Sequence, residues 1–228
     1  MVRWLPLESN PAVMNKFLAG MGVPGSWVIH DVYGLDTELL AMVPKPVGAV
    51  ILLYPFTDKF EDYKNKQVEE VEAAGQEVSE KVYFMKQFVG NACGTVALIH
   101  AIANNRDKIE LGGGALKDFL ESTQSKNPEE RGHALESDEG ISKAHEESAQ
   151  EGQTEAPDRE AEVNEHFIAF VEIEGNLYEL DGRRKFPINH GASSPDTLLA
   201  DAAKVCRKIM DLDPEEARFA VVALAASE

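Results

Sequence analysis

A cysteine attacks a carbonyl only as its thiolate. It needs a base to form that thiolate and an acid to protonate the group that leaves. The chain has two cysteines, Cys93 and Cys206, and six histidines. Cys93 lies in Gln87-Phe88-Val89-Gly90-Asn91-Ala92-Cys93-Gly94-Thr95, just ahead of an apolar run from Val96 to Ala103. Asn91 fits an N-cap, which puts Cys93 in the first turn of a helix buried nearly all round. There the free peptide N–H groups and the helix dipole stabilise a thiolate. Gly94 leaves room for another stretch of backbone to approach the sulfur. The same segment also fits a plain core thiol, because free cysteines are common in such places. Cys206 lies in a stripe with Leu199, Ala202, Ala203, Ile209 and Met210, the period of a helix with one buried face, and is read as core.

The base is best sought where a strand presents an imidazole beside a carboxylate. His166 opens the run Phe167-Ile168-Ala169-Phe170-Val171. A second run, Leu177-Tyr178-Glu179-Leu180, ends at Asp181-Gly182, and Glu174-Gly175-Asn176 between them signals a β-hairpin. A two-residue turn pairs residues whose numbers sum to an odd value, so His166 and Asp181 would share a face. A three-residue loop would put them on opposite faces. A helix-terminal Cys, then a strand-start His, then an Asp closing the next strand is the order of a thiol hydrolase: nucleophile, proton shuttle, orienting carboxylate. Gln87 can present an amide N–H to an oxyanion beside the Cys93 backbone N–H. Spacing alone does not single out this set, since Cys, His and Asp at loose separations are common. His100, inside the Cys93 helix, reads as a hydrogen-bonded core histidine. His133 and His145 belong to a polar middle region, and His30 and His190 need no catalytic role.

The elements that must position these residues are legible in outline. Asn10-Pro11 opens a short helix to Gly20, Trp27–Tyr33 reads as a strand, and Asp36 caps a short helix through Met42. Val47–Phe56 is a buried strand, and a charged amphipathic helix follows from about residue 60 to 74. Val82–Met85 reads as a short strand. Helices are predicted at 92–104, 115–122 and 128–136, the last opened by Asn127-Pro128-Glu129-Glu130. Ile188, a helix from Thr197 and a strand from Arg218 to Ala226 complete the pattern. Glu136–Glu165 carries 11 acidic and 2 basic residues, and no Phe, Trp or Tyr lies between Leu120 and His166. It reads as a long mobile loop inside one domain.

Composition removes several function classes. The 228 residues carry 22 basic and 40 acidic side chains, a net charge of −18, and a nucleic-acid backbone or an anionic membrane would repel such a chain. It expects a basic partner. The N-terminus lacks the apolar core of a secretory signal, and no stretch is long enough to span a bilayer, so the expected compartment is cytoplasmic and reducing. No Cys-x-x-Cys, His-Glu-x-x-His or EF-hand loop is present, so no metal and no cofactor is expected. Gly112-Gly113-Gly114-Ala115-Leu116-Lys117 lacks the second glycine and the Ser/Thr of a phosphate loop and reads as a joint between helices.

The residues themselves narrow the class. Gln87…Asn91-Ala92-Cys93-Gly94-Thr95, His166-Phe167-Ile168-Ala169 and Leu177-Tyr178-Glu179-Leu180-Asp181-Gly182-Arg183 resemble the active-site boxes of the ubiquitin carboxyl-terminal hydrolases. Arg3-Trp4-Leu5-Pro6-Leu7-Glu8, Asp31-Val32-Tyr33-Gly34 and His145-Glu146…Glu151-Gly152-Gln153-Thr154-Glu155-Ala156-Pro157 are similar to the short, L-type members, and the resemblance runs from Arg3 to the C-terminus. The absence of an extension after Glu228 separates it from the long members. The resemblance implies an α+β fold, an antiparallel sheet flanked by helices with a papain-like core and a knotted backbone, in a single domain over 1–228. It implies Cys93 as nucleophile, His166 as base and acid, Asp181 as the residue orienting His166, and Gln87 in the oxyanion hole. It assigns a crossover loop at about 142–164, past which the leaving group must go, and hence a preference for small or unfolded adducts. It implies a monomer with two partners, ubiquitin and the nearest ubiquitin-like modifier, and gives Glu8 and Asp31 as ubiquitin contacts. Ubiquitin's basic face and tail suit a −18 chain. Two rival readings make different demands. A non-catalytic ubiquitin-binding module would not need Gln87, Cys93, His166 and Asp181, and a general papain-like peptidase would cleave unfolded protein.

Overall fold

The computed structural model describes residues 2–152 and 163–227. Six strands form one antiparallel sheet in the order β1-β6-β2-β3-β4-β5: β1 (Trp27–Asp31), β2 (Val47–Pro55), β3 (Glu165–Ile173), β4 (Asn176–Leu180), β5 (Ile188–Ala192) and β6 (Ala220–Ala226). The helices are α1 (Pro11–Gly20), α2 (Thr37–Leu40), α3 (Asp58–Ala74), α4 (Cys93–Ala103), α5 (Ala115–Thr123), α6 (Pro128–Glu136), α7 (Glu139–Ala149) and α8 (Leu198–Met210). This is the α+β fold that the resemblance implies.

Strand alternation sorts the core into two layers. Ala49, Ile51, Phe167, Ala169, Val171, Tyr178 and Leu180 face α4 and α1 on one side. Val50, Leu52, Ile168, Phe170 and Leu177 face α8 on the other, together with Phe60 of α3. The central strand β2 is apolar along most of its length because both its faces are covered. The β3–β4 hairpin closes through a two-residue turn, with Ile173 paired to Asn176. Glu174 (φ 50°) and Gly175 (φ 83°) supply the two positive-φ positions that match such a turn to the twist of its strands.

Two expectations are corrected. Val82–Met85 is not a strand. Its amides go to side chains rather than to a ladder: Tyr83 N donates to Asn104 Oδ1 (2.8 Å) and Met85 N to His100 Nε2 (3.0 Å). The predicted loop over 136–165 contains helix α7, capped by Asp138 and burying Ile141, His145, Ser148 and Ala149. Residues 153–162 of that stretch lie outside the described residues, and so does part of the path on which a knot would depend.

Candidate active site

The first turn of α4 carries Cys93 into the wall of a cavity of about 500 Å³, shared with Leu7, Glu8, Asn91, Phe167 and Arg183. Every residue of α4 is buried. The predicted cap is not observed. Ala92 occupies the N-cap position with no side-chain cap, while Asn91 takes a left-handed conformation (φ 61°) and its Nδ2 donates to Trp4 O (3.1 Å). The first-turn N–H groups are thus not spent on a capping side chain, which suits an anion at this end of the helix. Gly94 has a different reason from the expected one. A Cβ there would lie 3.2 Å from Leu7 Cβ and 3.4 Å from Phe167 Cδ2, so glycine admits two side chains across the first turn rather than a backbone.

The hairpin register brings His166 and Asp181 together as the two-residue turn requires. Ala169 pairs with Leu180, so Asp181 lies diagonally from the position opposite His166. His166 is fully buried and Asp181 is 2% exposed. A carboxylate only accepts, so His166 Nε2 donates to Asp181 Oδ1, at 2.7 Å. The other ring nitrogen, Nδ1, is buried without a well-formed hydrogen bond, and the thiol of Cys93 is the group it interacts with.

The electrostatics favour a charged pair. Burial alone would push the Cys93 thiol up. His166, the peptide group of Phe167 and Arg183 outweigh it and hold the thiol below its ordinary value. Burial likewise works against an imidazolium at His166, yet Asp181 and Cys93 raise it above its ordinary value. Burial would raise the Asp181 carboxyl, but His166 first and Arg184 next keep it far below the usual carboxylate range. The Cys93 thiol is thus lowered and the His166 imidazole raised, each in part by the other, with the lowered Asp181 carboxyl bonded to the imidazole.

Gln87 reaches the same neighbourhood along the 82–90 segment. Its backbone N–H donates to Gly182 O (2.8 Å), next to Asp181, and its Nε2 donates to Val89 O (3.1 Å). An amide nitrogen carries two hydrogens, and the bond to Val89 uses one of them. Gln87 does not itself line the cavity. Glu8 does, whereas Asp31 is exposed at the end of β1 and lies outside the lining. Cys206 is fully buried in α8 on the far face of the sheet, and both cysteines are free.

The sequence reading missed His145, which lies fully buried on α7. It bonds Thr95 Oγ1 (2.7 Å), two residues past Cys93, and Leu5 O (2.5 Å), so it ties α7 and the N-terminal segment to the nucleophile's helix. Its signals were an i, i+4 spacing with Ile141 and its place beside Glu146 in a stretch similar to the short family members. Among the described residues no group of three or more His, Cys, Asp or Glu side chains is arranged to hold a metal, and no helix is long and apolar enough to cross a membrane.

The chain is similar to known proteins over most of its length. Residues 4–211 match the family model described as ubiquitin carboxyl-terminal hydrolase, family 1. The chain is 53% identical over 220 residues to ubiquitin carboxyl-terminal hydrolase isozyme L1 of Rattus norvegicus, covering 96% of each chain. It is 49% identical over 228 residues to a ubiquitin carboxyl-terminal hydrolase of Drosophila melanogaster, covering all of both. Its fold is similar to the Trichinella spiralis UCH37 catalytic domain solved bound to ubiquitin vinyl methyl ester, with a TM-score of 0.74 at 26% identity, over 98% of this chain and 96% of that one. Matched by the family model over residues 4–211 and about half identical to full-length members, the chain belongs to family 1 of the ubiquitin carboxyl-terminal hydrolases and is a cysteine-type deubiquitinating enzyme.

Proposed function

We propose that the chain hydrolyses small or unfolded adducts from the C-terminal glycine of ubiquitin through Cys93, His166 and Asp181. The observation that supports this reading is the buried His166–Asp181 hydrogen bond (2.7 Å) beside Cys93, whose thiol is lowered by His166 and lines the cavity. The Cys93 thiolate forms a bond to the last glycine carbonyl as the carbonyl π pair moves onto oxygen. The Cys93 N–H and the second Gln87 N–H receive that oxyanion, and losing one such donor costs roughly 10²–10³ in rate. Collapse restores the carbonyl and expels the amine, alcohol or thiol, which takes the proton from His166. His166 then removes a proton from water as it attacks the thioester, and the free acid leaves with the thiolate–imidazolium pair restored.

The electrophile in the Trichinella spiralis complex is a ubiquitin derivative, and the net charge of −18 suits ubiquitin's basic tail. Glu8, in the cavity wall, and Asp31, at the sheet edge, are the acidic groups offered to it. The same reading includes the nearest ubiquitin-like modifier as a second substrate, a monomeric single-domain enzyme, a cytoplasmic location and a crossover segment over about 142–164 that limits the leaving group. Within the family it places the chain among the short L-type members, with boxes like those of the isozyme called L-three, although the mammalian relatives above carry the name L1.

The test is release of a fluorogenic amine from the ubiquitin C-terminus. Turnover by the wild type, with none by Cys93→Ala and ubiquitin binding retained, supports the reading. Binding without turnover in both proteins would leave a ubiquitin receptor, and efficient cleavage of casein would leave a general peptidase.

A further inference from the structure

Asp181 has a second oxygen, and its partner is not one that thiol-hydrolase chemistry requires. Oδ1 accepts from His166 Nε2 (2.7 Å) and from the Arg183 backbone N–H (2.9 Å). Oδ2 accepts from Arg184 Nε (3.3 Å), and the Arg184 N–H donates to the Asp181 carbonyl (2.9 Å). The other end of the guanidinium is held by α3. Nη1 donates to Glu61 Oε1 (3.1 Å) and Asn65 Oδ1 (3.0 Å), and Nη2 donates to Glu61 Oε2 (2.7 Å). Glu61 and Asn65 are four residues apart, so they offer one helix face to one planar fork.

We infer that Arg184 is a positioning residue for the hydrolase, clamping Asp181 to α3 through Glu61 and Asn65 so that Oδ1 stays aimed at His166. The inference rests on the reading that Cys93, His166 and Asp181 carry turnover. A carboxylate held at one oxygen can rotate about Cβ–Cγ and swing its partner imidazole with it. Held at both oxygens it cannot, and catalytic geometry is sensitive to displacements well under 1 Å. Arg184 is 8% exposed and does not line the cavity, so it can act on the reaction only through Asp181. A lysine would supply one point donor in place of the fork, reaching Asp181 or α3 but not both.

The experiment measures kcat and KM on the fluorogenic ubiquitin amide, together with the downfield imidazole N–H proton resonance of His166. It uses Arg184→Met, Arg184→Lys, Glu61→Gln and, as reference, Asp181→Asn. Arg184→Met is expected to lower kcat about tenfold to a hundredfold, the usual cost of removing a supporting partner of a reacting group, with KM within about twofold. Its His166 resonance should broaden or vanish, Arg184→Lys should recover part of kcat, and Glu61→Gln should give a smaller loss in the same direction. A folded Arg184→Met with kcat near wild type and an intact resonance would overturn the clamp. If Arg184→Met does not fold, Glu61→Gln decides: a lower kcat at unchanged KM supports the clamp, and an unchanged kcat and resonance overturn it. Should Asp181→Asn itself leave kcat unchanged, the triad reading fails, and that outcome is distinct from failure of the clamp alone.

Discussion

Cys93 and Cys206 sit on helices packed against opposite faces of one sheet, 7% and 0% exposed, and their thiols are driven in opposite directions. Burial pushes Cys206 up to about 12, and Glu179 adds to the effect while Lys64 opposes it. Burial presses on Cys93 in the same sense and loses to His166, to the Phe167 peptide and to Arg183. The comparison teaches that burial is common to both sites. The sign is set by an imidazole with its own carboxylate and by a helix terminus rather than a helix middle. Two buried carboxylates stand two residues apart at the end of β4: Asp181 pairs with His166 and Arg184, and Glu179 pairs with Lys64 and His190. Asp181 acts on the imidazole that lowers the Cys93 thiol, and Glu179 raises the Cys206 thiol.

The largest effect separates the two cysteines directly. Cys93→Ala should lower the release of a fluorogenic amine from ubiquitin by at least about 10⁴-fold, as loss of a nucleophile does. Cys206→Ala should leave that rate within about twofold and cost about 1 kcal/mol in denaturant unfolding, from the small cavity it leaves. Next in size is Asp181→Asn, expected to lower kcat by roughly 10²–10⁴ through loss of the correct imidazole tautomer and orientation. A loss of that size in Glu179→Gln instead would reverse the roles of the two carboxylates.

The smallest effect is in stability against pH, read from denaturant midpoints. Glu179 is held down to about 2 against an ordinary 4.5, so its stabilising contribution is full above pH 4.5 and is lost as the pH falls toward about 2. Asp181 behaves alike but holds to lower pH, starting from 3.8. His166 is raised, so its contribution is full below 6.5 and is lost as the pH climbs past its folded value. Cys93, lowered, works in the opposite sense, so the His166 contribution is read as the difference between proteins: Asp181→Asn should lose less stability than the wild type as the pH rises above 6.5. An equal alkaline loss in Asp181→Asn would detach His166 from Asp181.

Legibility followed the physics of each element. The β3–β4 hairpin was legible as a turn at Glu174-Gly175-Asn176, but a two- and a three-residue loop were both open; the observed register gives two, and period-two alternation then carries His166 and Asp181 to one face. Helix α7 was not. Its buried stripe is Ile141, His145, Ser148 and Ala149, and three of those four are too small or too polar to register as apolar periodicity. What makes His145 tolerable inside is a pair of tertiary partners, Thr95 and Leu5, from distant parts of the chain. Asn91 looked like a cap because local chemistry favours asparagine there. A contact with Trp4 from the far N-terminus competes for its side chain. Arg184 was silent for the same reason, since its meaning lies in Glu61, 123 residues away.

The most direct test is to expose the native protein at neutral pH to ubiquitin carrying a C-terminal vinyl methyl ester and map the adduct by peptide mass spectrometry. The expected result is one ubiquitin per chain, attached at Cys93, with Cys206 unmodified until the protein is unfolded. Attachment at Cys206, or no adduct from a folded chain that binds ubiquitin, would contradict the assignment of Cys93 as the nucleophile.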